Sequence, residues 1–290
     1  MMPQPLHLLA LGGALCSAAA TIFIRKGLRE SDPFSGFWIN LVVGTISLWI
    51  AVVFTGGVGH VSLKGALFFV CAGLIGTVGG RLLRFVSIER VGASIAAALI
   101  NLNPFVSSGL AILLLGEHIT MPIVVGTVVI VAGTTLFSVG GRRLGVRPSQ
   151  LVLPMLSATC FGVVAVLRKL GLSDTTAVVG SAINVTTAFV AFTAFLFATG
   201  RREIMITRGW SFAHFMAAGL TENVGVFMNV VALGMGTVSV VTPLYGTAPI
   251  FVLFLAPLFL RDVERLRARV VVGTLLIVLG VYLITALGGR

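Results

Sequence analysis

The sequence predicts an all-α integral membrane protein of ten transmembrane helices, built as two inverted-topology five-helix repeats. Three observations lead there. The 290 residues are 57% hydrophobic and only 10% charged, with a mean hydropathy of +1.10, whereas a soluble chain carries about a quarter charged residues. Apolar runs of bilayer length, about 20 residues each, follow one another with short connections that leave no room for a soluble domain. Landmark residues then recur in one order in both halves of the chain.

The runs fall at 6–24, 34–54, 65–88, 92–115, 121–139, 151–167, 176–198, 210–232, 236–259 and 270–288. Nothing before Arg25 is Lys or Arg, so the first run lacks the basic flank of a signal peptide. Leu15 directly before Cys16 also spoils a lipoprotein cleavage site, and the run is taken as the first span. It ends at Arg25-Lys26 as the sixth ends at Arg168-Lys169. Gly36 to Asn40 in the second span matches Gly180 to Asn184 in the seventh. In the third span Gly73, Gly76, Gly79 and Gly80 allow close helix approach. No strand precedes them, so they are no phosphate-binding loop.

Spans four and nine carry the most unusual pattern. Gly92 to Glu117 and Thr237 to Glu264 each hold a proline in mid-run, Pro104 and Pro249, and end in an acid. A proline removes a backbone donor and bends a helix, freeing carbonyls inside the membrane. Val124 to Gly133 in span five matches Val271 to Gly280 in span ten. With five spans per half, residues 1–145 and 146–290 enter the membrane from opposite sides, as in many secondary transporters.

The run Ile88-Glu89-Arg90-Val91-Gly92-Ala93-Ser94, then Asn103-Pro104, Leu115-Gly116-Glu117, Gly126 and Gly133, resembles the first EamA-type unit of the drug/metabolite transporter superfamily. Ala232-Leu233, Ser239, Pro249, Glu264, Gly273 and Gly280 resemble a second unit, in which Arg261-Asp262-Val263-Glu264 replaces the usual Leu-Gly-Glu and two residues are inserted after Pro249. The resemblance implies ten helices around a central cavity and alternating access. It names no substrate, because such proteins carry amino acids, nucleotide sugars, sugar phosphates and drugs.

The net charge of +11 is spread among short loops rather than gathered on one face, which argues against a nucleic-acid partner and for membrane-surface charge. Most Lys and Arg residues follow odd-numbered spans. Basic loops stay cytoplasmic, so charge places both termini outside the cytoplasm, while the resemblance implies both inside. Cys16, Cys71 and Cys160 lie within apolar runs without metal-ligand spacing and read as small buried hydrophobes. No metal site and no cofactor is expected.

Glu222 is the sharpest candidate, an acid near the middle of span eight. A charge at the bilayer centre costs about 2.5–3.5 kcal/mol on insertion scales, so it faces a cavity or a partner. Two readings stand open: a proton-coupling or cation-binding carboxylate, or a structural ion pair with Arg81. Arg81 and Arg84 share one face of span three. They either clamp a carboxylate or phosphate or, for Arg84 above all, snorkel to the basic surface. Asn101 and Asn103 do not share a helical face, so one should look into the cavity and the other bond a neighbouring helix. Thr242 and Tyr245 offer hydroxyls and an aromatic wall at the corresponding place in span nine. Asn40 and Asn184 read as helix-packing residues, Trp38 and Trp210 as interfacial anchors, and Trp49 as facing lipid or else lining the cavity. Glu117 and Glu264 are expected to bond the N-terminal N–H groups of the following helix.

The leading reading is a secondary transporter, an exporter of a small polar metabolite such as an amino acid or other anionic or zwitterionic solute, located in the cell membrane. It works by alternating access, driven by a gradient of protons or another ion or by exchange, with Glu222 as the proposed proton carrier, and a monomer suffices. Without a phosphate-binding loop, ATP hydrolysis is not the energy source. An intramembrane enzyme acting on a lipid-linked substrate is the alternative. No HExxH, paired aspartates or Gly-x-Ser-x-Gly supports it, and His214 with Glu222 on one face is a weak constellation. A non-transporting assembly subunit is disfavoured by the complete repeat.

Overall fold

The computed structural model describes residues 5–59, 61–92, 96, 99–139, 148–205, 209–259 and 268–287. Among them the regular structure is helical throughout. The principal helices are α1 (Pro5–Gly27), α2 (Pro33–Phe54), α3 (Leu63–Val91), α4 (Asn103–Leu115), α5 (Met121–Val139), α6 (Pro148–Gly171), α7 (Ala177–Ala198), α8 (Gly209–Met235), α9 (Val238–Tyr245), α10 (Ala248–Phe259) and α11 (Ala268–Tyr282). Six of these, α1, α2, α3, α6, α7 and α8, are long and apolar enough to cross a membrane. Polar side chains start several of them. Asp32 Oδ1 accepts from the N–H groups of Phe34 and Ser35 at 2.8 and 3.0 Å ahead of Pro33 at the first turn of α2. Ser62 and Thr176 do the same for α3 and α7.

Packing repeats between the halves. Helix α1 lies on α8 as α6 lies on α3; α10 meets α1 as α4 meets α6; α2 pairs with α7 and α5 with α11. Two fully buried phenylalanines show how closely. A Cβ at Gly27 or Gly36 would drive into the ring of Phe215, and one at Gly171 or Gly180 into that of Phe69. Each ring therefore fills a notch that two glycines leave open. Helices α5 and α11 run antiparallel through glycines, with a Cβ at Gly126 coming 2.8 Å from the carbonyl of Gly280 and one at Gly133 2.8 Å from that of Gly273. Such contacts need small residues because, in lipid, helices associate by close packing rather than by hydrophobic exclusion.

Three departures from simple spans matter for function. The predicted fourth span breaks at a turn over Asn101 and Leu102, and the predicted ninth at a turn over Gly246 and Thr247. Pro104 and Pro249 therefore stand in the first turn of α4 and α10 rather than in mid-helix. There a missing N–H would have no intrahelical partner in any case, so proline starts a helix without strain. In α3, Gly73–Arg81 winds as a π-helix, a form concentrated at functional sites.

Several residues singled out in the sequence can now be placed. Cys71 is exposed, and Cys16 and Cys160 are half-buried, rather than fully buried. Trp49 Nε1 donates to Thr186 at 2.8 Å and Trp38 Nε1 to Thr193 at 3.2 Å, so both tie α2 to α7. Trp210 is 72% exposed at the start of α8. Glu264 lies outside the described residues.

Candidate functional site

The two helix breaks meet. Gly246 leaves space for the amide oxygen of Asn101, which a Cβ would occupy. Around this junction lies a cavity of about 100 Å³ walled by α1, α3, α6 and α8. A water needs about 10–15 Å³ by this measure, so the space suits a solute of about ten non-hydrogen atoms or fewer. Arg81, Asn101, Asn103, Glu222, Thr242 and Tyr245, drawn from four separate stretches of sequence, all line it. Both asparagines border the cavity, because the turn at Asn101 and Leu102 abolishes the helical spacing that would have set them on different faces. Asn103 Nδ2 also donates to the Ile100 carbonyl at 2.9 Å, closing that turn.

Three guanidinium groups reach the cavity. The π-helical stretch of α3 lies tight against α6, where a Cβ at Gly80 would come 3.1 Å from Cys160 Cβ. Ser157 Oγ donates to the Gly80 carbonyl at 2.7 Å and satisfies one backbone acceptor there. The stretch delivers Arg81, which is 3% exposed and donates through Nη1 to Asn40 Oδ1 at 2.8 Å and Asn223 Oδ1 at 3.2 Å. One turn on, Arg84 Nη1 meets Glu222 Oε2 at 2.6 Å, and its Nη2 donates to the Ser17 carbonyl and the Thr21 hydroxyl. The third group is Arg168 of α6, 7% exposed, whose Nε and Nη2 both donate to Asn184 Oδ1, at 3.2 and 2.8 Å. Asn184 Nδ2 passes the bond on to Thr77 at 2.9 Å.

This geometry corrects four expectations. Glu222 pairs with Arg84 and not with Arg81. Arg84 is buried in the cavity wall and does not snorkel, because a carboxylate on α8 lies within reach. Arg168 belongs to the site and not to a surface loop, so it and Arg84 drop out of the charge asymmetry between the two membrane faces. Asn40 and Asn184 do more than pack helices; each holds a guanidinium. Ser17, Thr21, Thr77 and Asn229 also line the cavity, and the sequence reading singled out none of them. Asn229 lies seven positions after Glu222, hence on the same helical face, and that spacing was the signal available. Its buried Oδ1 has no hydrogen-bond partner among the described residues.

His214 packs on Trp210 with ring centroids 5.2 Å apart and bonds its carbonyl. It does not border the cavity, so the His–Glu constellation is not assembled. Glu117 caps a helix N-terminus, but not that of the helix following it. It reaches α9 in the other half, accepting from the N–H groups of Val238 at 2.8 Å and Ser239 at 3.1 Å and from the Ser239 hydroxyl.

No curated protein matches this chain. One solved crystal structure covers 98% of this chain and 98% of its own with a TM-score of 0.79 at 16% identity, a likeness of fold alone. The sequence pattern of the EamA-like transporter family matches twice, over residues 4–139 and 149–286. Two matched units spanning nearly the whole chain, on a bundle whose packing repeats with them, place this multi-pass membrane protein in the EamA-like transporter family.

Proposed function

We propose that this protein is a secondary transporter that moves a small anionic or zwitterionic solute through the cell membrane by alternating access. One observation carries the reading: the breaks of two helices, one in each half, meet at a cavity lined by ionised and amide side chains inside an apolar bundle. Irregular backbone at membrane depth is tolerated where it lines such a cavity. Ten spans in two oppositely oriented repeats are supported by the antiparallel α5 and α11. There Gly126 faces Gly280 and Gly133 faces Gly273, as a two-fold axis lying in the membrane plane requires of equivalent residues. Rocking of one half against the other would expose the cavity to each side in turn.

Glu222 serves in this reading as the fixed counter-ion of Arg84 rather than as a proton carrier. Glu222 Oε2 lies 2.6 Å from Arg84 Nη1, so its hydrogen-bonding reach is taken up by that guanidinium. Exchange of solute for solute, driven by the solute gradients, then needs no proton.

The test is exchange into proteoliposomes holding the purified full chain, with labelled amino acids, sugar phosphates, nucleotides and cationic drugs. Saturable uptake of an anionic or zwitterionic solute is expected without an imposed pH gradient. Uptake of none, with turnover of a lipid-linked substrate instead, would favour the enzyme. Uptake that needs a pH gradient in the native protein and loses that need in Glu222→Gln would restore the proton-carrier role.

A further inference from the structure

The cavity wall is not electrically neutral. Three guanidiniums and one carboxylate line it, and among the described residues Arg84–Glu222 is the one ion pair there. Arg84 is thereby neutralised, and its Nη2 donates to the Ser17 carbonyl and the Thr21 hydroxyl. Arg81 and Arg168 are buried to the same degree and have only neutral amide oxygens as acceptors. An amide satisfies a hydrogen bond but leaves the charge. Two uncompensated charges inside a membrane bundle are costly unless something of opposite sign joins them. The hydrogen bonds of Arg81 run through Nη1, and those of Arg168 through Nε and Nη2.

We infer that the solute is a small organic dianion, a phosphate monoester or a dicarboxylate, bound between Arg81 on α3 and Arg168 on α6. Guanidinium forks match both kinds of oxygen. Their spacing is fixed by the glycine-mediated contact of α3 with α6, and their orientation by Asn40 and Asn184. The rest of the wall is neutral. Phe161, Val164 and Val252 suit a carbon skeleton, and Asn229 and Tyr245 suit its hydroxyl groups. The cavity has room for succinate or glycerol phosphate. This names the substrate class of the site proposed above, but binding by itself does not depend on transport.

The experiment is a thermal-shift titration of the purified full chain with succinate, glycerol phosphate, lactate, alanine, glycerol and choline, followed by exchange of the same solutes in proteoliposomes. A dianion should stabilise the protein at concentrations where the monoanion, zwitterion, neutral and cationic probes do not. Arg81→Gln and Arg168→Gln should each weaken dianion binding about tenfold or more, the value of one charge-assisted hydrogen bond. Both should narrow its preference over lactate, and the Lys variants should restore part of it. Choline, glycerol or alanine binding as tightly as either dianion would overturn the inference. So would failure of both dianions to bind, or unchanged dianion affinity in Gln variants that elute as single species with native helicity. A dianion that binds but does not exchange leaves the inference standing and removes the transport reading. Exchange of the zwitterion alanine alone does the reverse.

Discussion

Helices α3 and α8 hold equivalent places in the two halves and diverge where they meet the cavity. Phe69 and Phe215 fill matching glycine notches, and at the same offset Gly73 and Gly219 each lie against the helix that carries Asn184 or Asn40. Thr77 and Asn223 follow, each bonded into the partner asparagine. Beyond that the correspondence stops. Gly76 stands where α8 has Glu222, Arg81 where it has Phe227, and Arg84 where it has Val230. Duplicated positions hold packing, and unduplicated ones hold charge. Packing contacts recur in both halves, while the charged side chains of the cavity wall occur once; on the proposed reading, that asymmetry is what would let the cavity grip an asymmetric solute.

The strongest break of this comparison removes the carboxylate present in one half only. Glu222→Ala leaves Arg84 buried without a counter-charge, which costs about 3–5 kcal/mol, and abolishes exchange. Thermal unfolding in detergent should show that loss, with Arg84→Ala added to Glu222→Ala recovering much of it. Additive losses in the double variant would mean that the pair is not coupled. Next come the duplicated asparagines. Asn40→Ala and Asn184→Ala each strip acceptors from one guanidinium, at about 1.5–3 kcal/mol for a bond to a charged group. Similar losses of stability and of solute affinity in both sharpen the picture of one asparagine per half, each aiming an arginine. A loss confined to one would break it.

Much of this scaffold was legible in the sequence, because Gly, Pro and Asn landmarks recur wherever backbone must bend or approach closely. The charged site was legible only in part. Arg25-Lys26 and Arg168-Lys169 look like one landmark, yet Arg25 is exposed while Arg168 is buried. The notch glycines explain it: Gly27 follows Lys26 directly, whereas Leu170 separates Lys169 from Gly171. Setting Gly27 against Gly171 places Arg168 opposite the buried Ile24, one residue and so about 100° of helix away from the apparent match. Arg84 was misread for a different reason. Its distance from the basic loop is visible in sequence, but the approach of Glu222 from α8 depends on how two helices cross. Ser17, Thr21 and Thr77 resemble the many hydroxyls that bond their own helix, as Thr187 and Thr221 do here, so nothing in the sequence marks them.

Smaller effects test the scaffold itself. A Cβ at Gly36 would come 2.5 Å from the ring of Phe215, and one at Gly180 would meet Phe69 still more closely. Gly36→Ala and Gly180→Ala should each destabilise by about 1–3 kcal/mol, the range for overpacking. Cutting the ring back in the same chain, Phe215→Leu with Gly36→Ala and Phe69→Leu with Gly180→Ala, should reduce the penalty in both halves alike. Relief in one half alone would show that the notches are not equivalent.

The smallest effect belongs to the link across the halves. Thr237, at the N-cap of α9, makes no side-chain capping bond, and Glu117 supplies it instead from the end of α4 through Val238 and Ser239. Just before that turn, Lys169 Nζ donates to the carbonyls of Leu233 and Gly236, both at 2.8 Å, at the end of α8. An anion at a helix start and a cation at a helix end both match the helix dipole, so the α8–α9 turn is held from either side. Glu117→Gln keeps the shape and one acceptor but loses the charge, at about 0.5–2 kcal/mol of cap stability. Since α9 carries Thr242 and Tyr245 into the cavity, the same change should raise the KM for exchange more than it lowers the maximal rate. A lowered rate at unchanged KM would instead assign Glu117 to the motion between the halves, and the cap would then matter for opening rather than for binding.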